Sequence, residues 1–166
     1  MTPILLRPLE AGDEEFLREM FVETFFWRDD GRRHSLEEAF AIPGLSKYIV
    51  GWGRPGDAGV IAVSDSGENL GAAWCRLFSE ADHGCGFVSG DIPELGIAVR
   101  RPYRGQGVGR RLMHGLIALA REQGTRGLSL SVEDGNSRAA SLYHSIGFTP
   151  VGRSGTAWTM VLKLAP

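Results

Sequence analysis

Several features that mark common protein classes are scarce or missing in this sequence of 166 residues. No apolar run approaches the roughly 18 residues of a membrane-spanning helix, so we expect no membrane association. The net charge of -2 gives no basic excess, which argues against binding to nucleic acid. The start, 1–8, lacks a basic region followed by a long apolar stretch and does not resemble a secretory signal. The simplest expectation is therefore a cytoplasmic protein.

Cysteine is also scarce, with only two residues in the chain. Cys75 and Cys85 are too few for a disulfide framework and lack metal-ligand spacing with the four histidines, so we expect no metal site. A core thiol at Cys75 and a loop thiol at Cys85 are the simplest interpretation, although the sequence leaves a single disulfide open. Apolar residues make up 43% and charged residues 23%, which is ordinary for one globular domain spanning 1–166.

The pattern of apolar residues predicts a fold of mixed α and β elements. Acidic residues at 13–15 precede an apolar helical pattern, and Ser35 with Glu38 fits a capping box. Apolar residues at helical spacing predict a third helix from Val108 to Gly124, and Asn136 and Gly147 suit the two ends of a fourth. Strands are expected at 4–8, 60–63, 70–78, 94–99, 128–132, 148–151 and 157–164.

A glycine-rich loop joins the strand at 94–99 to the third helix. Gly105, Gly107 and Gly109 alternate there, so successive backbone N–H groups can face one ligand, and the helix dipole adds positive character. Glycine permits close approach to the backbone, and Arg104 adds a positive charge. The loop is therefore suited to a group with many anionic oxygens, such as pyrophosphate.

Two other phosphate-binding motifs fit this loop less well. A nucleotide-triphosphate loop requires Gly-Lys followed by Ser or Thr, and the loop has no lysine. A dinucleotide fingerprint requires a third glycine where Arg110 stands, although Glu133 could serve as its acidic residue. A nicotinamide oxidoreductase thus remains as a weaker alternative.

The run from Val99 to Gly109, VRRPYRGQGVG, closely resembles the signature of the GNAT superfamily of N-acetyltransferases. Asn136, Tyr143 and the pair at 147–148 match downstream positions of the same superfamily. The resemblance is specific from about Glu94 to Phe148. It implies an α/β (α+β) fold: a mixed, centrally splayed sheet of about six to seven strands flanked by about four helices. It also implies acetyl-CoA as cosubstrate and direct attack by a primary amine.

The resemblance suggests a base and an acid. Glu94 is the candidate general base, acting directly or through water, although it could instead bind the substrate ammonium or pair with an arginine. Asp91 and Asp82 are weaker candidates. Tyr143 is the candidate general acid for the departing thiolate, although it also falls on an apolar helical stripe. His114 and His144 are expected at the surface.

The resemblance also implies which residues bind the coenzyme. Backbone groups of the strand should pair with the pantetheine arm, and Gly96 suits the bulge that the superfamily carries in this strand. Asn136 could bind the coenzyme, cap its helix, or do both. The full set of candidate cofactor-binding residues is Ile97, Ala98, Val99, Arg104, Gly105, Gln106, Gly107, Val108, Gly109 and Asn136.

The sequence does not identify the acyl acceptor. A small-molecule or peptide amine is expected, and a homodimer is left open. The segment 25–56 is rich in aromatic residues, which could wall a pocket or simply belong to the core. A CoA-binding sensor or interaction module without turnover is the main alternative function.

Overall fold

The computed structural model describes residues 3–165, so residues 1, 2 and 166 of the predicted domain lie outside the description. Within that range, seven strands and four α-helices occur, which confirms the predicted mixed architecture. The helices are α1 (Glu14–Phe25), α2 (Leu36–Phe40), α3 (Val108–Glu122) and α4 (Ser137–Ile146). The strands are β1 (Ile4–Pro8), β2 (Ala58–Ser64), β3 (Asn69–Arg76), β4 (Glu94–Val99), β5 (Gly127–Glu133), β6 (Thr149–Ser154) and β7 (Ala157–Lys163).

The described strands form one sheet in the order β1-β2-β3-β4-β5-β7-β6. Among them β4 and β5 are the only parallel pair, and all other neighbours are antiparallel. A dinucleotide-binding domain would instead show several parallel strands linked by helices. The topology therefore argues against the nicotinamide alternative.

Helices cover both faces of the sheet. On one face α3 and α4 bury an apolar cluster that includes Leu112, Leu116 and Tyr143. On the other face α1 buries Leu17, Met20 and Phe21 against the central strands. These two layers hold β4 between them. No helix within residues 3–165 has the length and apolar character needed to cross a membrane.

Helix ends follow the predicted capping residues. Ser35 accepts a hydrogen bond from the Glu38 N–H at the start of α2, and Asn136 accepts one from the Ala139 N–H at the start of α4. Gly147 ends α4 with a φ of 117°, a left-handed conformation that favours glycine. These caps could be predicted from the sequence because each one ends or begins a helix through residues only a few positions apart.

The predicted bulge at Gly96 is wrong. The β3–β4 register runs without a shift from Gly71↔Val99 to Arg76↔Glu94. Glycine is needed at 96 for a packing reason instead, because a Cβ there would lie 2.7 Å from the Trp74 ring. Trp74 is buried against this strand, so its ring occupies the space that a side chain at 96 would take.

Candidate active site

A slot opens between β4 and β5 at the centre of the sheet. The two strands pair only at Glu94↔Ser129, where the Ser129 N–H donates to the Pro93 carbonyl over 3.0 Å. From there β4 stays paired with β3, while its other edge separates from β5. The sheet therefore presents an open backbone edge in its interior, where a ligand can add hydrogen bonds as a further strand would.

Alternation along β4 decides which backbone groups face the slot. The Arg100 N–H donates to Leu70 on β3, and Ala98 pairs with Ala72 on the same strand. Ile97 and Val99 therefore face the other way, because successive strand residues present their backbone groups to opposite sides. Their N–H groups have no acceptor within residues 3–165.

One carbonyl on that side of β4 is already used, because Arg104 Nε donates to the Val99 carbonyl over 2.9 Å. The Ile97 carbonyl lies 3.3 Å from Thr24 Oγ1 of α1, but the single hydrogen of that hydroxyl also has the nearer Met20 carbonyl at 2.9 Å. Ile97 and Val99 therefore offer free N–H donors to the slot, while the Val99 carbonyl is already bonded. This arrangement favours a ligand whose carbonyl groups point toward β4.

The glycine loop lies where β4 leads into α3. Gly105 and Gly107 have φ values of 75° and 84°, and Gly107 is the N-cap of α3. The six backbone N–H groups from 105 to 110 have no acceptor within the described residues. Unpaired donors at the start of a 15-residue helix, together with its dipole, are suited to an anionic ligand.

Arg104 is bound more tightly to the protein than the sequence suggested. Besides its bond to Val99, its Nη2 donates to Glu23 of α1 over 2.8 Å. Arg101 also approaches Glu23, at 3.4 Å. The charge of Arg104 is therefore balanced by α1, and the residue holds the glycine loop against the end of β4.

Glu94 stands at the closed end of the slot. It is only 5% exposed, and burial raises its pKa to about 7, against a smaller lowering by the neighbouring Tyr48 hydroxyl. Its Oε1 atom has no hydrogen-bond partner within residues 3–165. A carboxyl group with such a pKa can hold or release a proton near neutral pH.

A nearby cation does not neutralise Glu94. Arg76 lies directly opposite it on β3, but its guanidinium donates to both carboxylate oxygens of Asp57, at 2.8 and 2.9 Å. Arg76 also donates to the carbonyls of Lys47 and Val50. These bonds use four of the five guanidinium N–H donors, and no arginine forms a salt bridge with Glu94 in the described chain, so the alternative that Glu94 pairs with an arginine is wrong.

Tyr143 lies inside α4 and is 7% exposed. Burial raises its pKa to about 12, so the phenol stays protonated at neutral pH. Its ring packs beside Phe148 at 5.9 Å between centroids, and its hydroxyl has no hydrogen-bond partner within the described chain. A neutral hydroxyl without a protein partner is free to donate to a ligand.

The comparison with known families agrees with this geometry. The model of the acetyltransferase (GNAT) family matches residues 14–148, most of the chain. The chain belongs to this family.

One curated relative and several solved structures of the same fold are similar to this GNAT protein. A candidate ribosomal protein bS18 alanine N-acetyltransferase of Bacillus subtilis (strain 168) is 37% identical over 70 residues, 41% of this chain. That match spans 46% of the relative's length. A candidate acetyltransferase structure from Acinetobacter baylyi has a TM-score of 0.73 at 18% identity, covering 99% of this chain and 93% of that one. The yncA structure from Salmonella typhimurium, with its cofactor acetyl-CoA, gives 0.67 at 21% identity and covers 99% and 95%.

The other candidate bases of this GNAT protein do not share the environment of Glu94. Asp82 is exposed and pairs with Lys47, while Asp91 is exposed and lies 3.4 Å from Arg126. His114 and His144 are exposed, as predicted. Glu94 is therefore the carboxyl among these candidates that burial has shifted toward neutral pH.

The aromatic residues of 25–56 mostly belong to the core. Phe25, Phe40 and Tyr48 pack around Phe21 of α1. The Trp27 ring lies near the loop between β5 and α4. A Cβ added to Gly135 in that loop would be 4.0 Å from the ring. Tyr48 of the same segment lies instead near Glu94.

Sequence reasoning missed two hydroxyl groups beside Glu94. Ser129 is its partner on β5, is 0% exposed, and has an Oγ atom without a hydrogen-bond partner in the described chain. The alternating pattern at 128–132 suggested a half-buried strand, but Gly86 of the β3–β4 loop packs over β5 and buries this face. Tyr48 is the second, and no local spacing marked it because it reaches Glu94 from a distant segment.

Proposed function

We propose that this protein transfers an acetyl group from acetyl-CoA to a primary amine by direct attack. The observation that carries the proposal is the arrangement of the slot: an anion-binding loop at one end and a buried carboxyl with a neutral-range pKa at the other. Thioester aminolysis needs a bound anionic carrier and a proton acceptor for the amine, and the slot supplies a candidate for each.

The coenzyme would lie along the slot. The unpaired N–H groups of the loop at 105–110 suit its pyrophosphate, and Gln106, Val108 and Gly109 contribute through their backbone. Ile97 and Val99 each offer an N–H to the amide carbonyls of the pantetheine arm. Ala98 offers none, because its backbone pairs with β3.

Two further residues would support the coenzyme from outside the slot. Arg104 would hold the loop in place through Val99 and Glu23. Asn136 uses its Oδ1 atom to cap α4, which leaves its side-chain N–H₂ group for the coenzyme.

Glu94 would remove a proton from the acceptor ammonium. An amine with an ordinary pKa near 10 is mostly protonated at neutral pH, so attack requires deprotonation. With its pKa raised to about 7, Glu94 is partly ionised in this range and is a stronger base than an exposed carboxylate.

Tyr143 would protonate the departing thiolate. The amine nitrogen forms a bond to the thioester carbonyl carbon, the carbon–sulfur bond breaks, and its electron pair stays on sulfur. The sulfur then takes the phenolic proton of Tyr143, and Glu94 holds the proton that left the ammonium before attack. The new amide nitrogen still carries one proton too many, and it releases that proton toward the tyrosinate. The tyrosinate that remains in a buried site is unstable, so it regains a proton before the next turnover.

An acceptor panel with acetyl-CoA tests this function. The panel should contain a peptide with N-terminal alanine, a polyamine, an aminoglycoside and free amino acids, and thiol release measures turnover. Acetylation of at least one amine, identified by mass spectrometry, is the expected result.

Thermal-shift measurements separate the alternatives. Stabilisation by acetyl-CoA without turnover on any amine would favour the CoA-binding module. Stabilisation by NAD(P)H and not by acetyl-CoA would refute the proposed function altogether.

A further inference from the structure

Tyr48 lies far from Glu94 in sequence but is fixed beside it by several contacts. It belongs to the 3₁₀ turn Ser46–Tyr48, whose Lys47 carbonyl accepts a hydrogen bond from buried Arg76 over 2.9 Å. The Tyr48 ring packs edge-on against Phe78, with centroids 5.3 Å apart. The tyrosine is thus held by the core and by a buried guanidinium, and its hydroxyl has a defined position.

The β3–β4 loop adds a contact to that hydroxyl. The Cys85 N–H donates to the Tyr48 oxygen over 2.8 Å. The tyrosine therefore acts as acceptor toward the loop, and its own O–H hydrogen remains available for a second partner.

Glu94 is the acceptor next to that hydrogen. A Cβ on Gly84 would overlap the Tyr48 hydroxyl and would lie 2.9 Å from Glu94 Oε1, so both oxygens border the same small space. Oε1 is buried and has no hydrogen-bond partner in the described chain. A buried carboxylate oxygen without a donor is costly, and one hydroxyl in reach removes most of that cost.

We propose that Tyr48 is a positioning residue that donates its hydroxyl hydrogen to Glu94 and links the proposed base to the loop at Cys85. This inference rests on the proposed function of Glu94. The hydrogen bond aims the carboxylate into the slot and stabilises its charged form. The glycine at 84 leaves the space in which the two oxygens meet.

Other groups around Glu94 contribute less than Tyr48. The Gly86 N–H of the covering loop also lowers the pKa of Glu94, but by less than the Tyr48 hydroxyl does, and the buried Ser129 hydroxyl forms no hydrogen bond in the described chain. Arg76 faces it from β3 but is bound to Asp57. His83 on the covering loop is exposed, directs Nδ1 toward the Gly84 carbonyl, and lowers the pKa of Glu94 less than Tyr48 does. Cys85 lies on the same loop, with its pKa raised by burial, by Glu94 and by Glu133. Tyr48 is therefore the main group stabilising the carboxylate.

The test measures the pKa of Glu94 in wild type and in Tyr48→Phe by carbon-13 NMR of protein labelled at glutamate. The Glu94 carboxyl signal is assigned as the one that is lost in Glu94→Gln. Loss of a hydrogen bond to a charged group should raise the pKa of Glu94 by about one unit. The acid limb of kcat/KM should move by the same amount, which lowers kcat/KM about fivefold at pH 7 and little at pH 9. Binding of acetyl-CoA should not change.

Gly84→Ala gives a second way to displace the hydroxyl, because the new Cβ takes its place. It should raise the pKa of Glu94 in the same direction as Tyr48→Phe. Tyr103→Phe is the matched control: it removes a hydroxyl that donates to exposed Glu68 and should leave the titration unchanged.

An unchanged Glu94 titration in folded Tyr48→Phe or Gly84→Ala would overturn the inference, whatever happens to activity. Full activity in Glu94→Gln would instead show that Glu94 is not the general base. The pKa measurement would still test whether Tyr48 donates a hydrogen bond to Glu94. The two failures are therefore distinguishable.

Discussion

The donor side of the proposed site is built from the backbone of consecutive residues, whereas the region around Glu94 is built from side chains of separate segments. Residues 97–109 supply the slot donors and the glycine loop within one short stretch of chain. Glu94 is surrounded by Tyr48, Arg76 and Ser129, which come from a 3₁₀ turn and two other strands. A backbone site leaves a sequence motif, and a side-chain environment of this kind does not.

The largest effect is expected from removing the proposed base. Glu94→Gln should lower kcat by about 10²- to 10⁴-fold near pH 8, because general-base catalysis contributes on that scale. Affinity for acetyl-CoA should be retained, since the donor side is separate. Steady-state kinetics and calorimetry measure the two quantities.

Glu80→Gln is the control for that variant, because Glu80 is an exposed glutamate on the loop that leads into β4. A comparable loss of kcat in Glu80→Gln would mean that the loop, rather than the buried carboxyl, is responsible.

Glycine at 107 tests the donor side alone. Gly107→Val should weaken acetyl-CoA binding at least about 100-fold, because a side chain at a φ of 84° strains the loop and blocks ligand approach to its N–H groups. Calorimetric titration with acetyl-CoA measures the change.

Gly124→Val is the matched control at the other end of α3, with a φ of 73° and similarly open surroundings. It should cost similar stability and leave acetyl-CoA binding intact. Wild-type affinity in Gly107→Val would refute the proposed pyrophosphate site.

The same carboxyl makes stability depend on pH. Because Glu94 has a pKa of about 7 when folded and an ordinary value of 4.5, the folded state holds the proton more tightly than the unfolded state. The free energy of unfolding should therefore fall between about pH 4.5 and 8, by roughly 3 kcal/mol from this group.

Urea denaturation of wild type and Glu94→Gln across that range measures the contribution of Glu94. The variant should become the more stable protein as the pH rises, because wild type must then bury an ionised carboxyl group. A constant difference between the two proteins would contradict the raised pKa.

A smaller effect is expected from the proposed acid. Tyr143→Phe should lower kcat about 10- to 100-fold, since water can protonate part of the departing thiolate. The dissociation constant of acetyl-CoA should change little, because the hydroxyl acts late in the reaction. An unchanged kcat in steady-state assays would remove Tyr143 from this role.

Much of the fold could be predicted because its signals are local. The bounds of β4 agree with the prediction, and the caps at Ser35, Asn136 and Gly147 were read from residues within one helical turn. The bulge at Gly96 was wrong because the reason for that glycine is Trp74 on the neighbouring strand. Ser129 was placed on a half-exposed face because the covering loop cannot be inferred from alternation.

The sequence alone determined that Gly105 and Gly107 would form a tight loop with unpaired N–H groups at a strand–helix junction, because positive φ and exposed N–H groups are properties of a few adjacent residues. Only the tertiary structure decided that Glu94 would be buried, left without a cation and placed beside Tyr48. Its pKa depends on burial and on the engagement of Arg76 with Asp57, and both arise from contacts between distant segments.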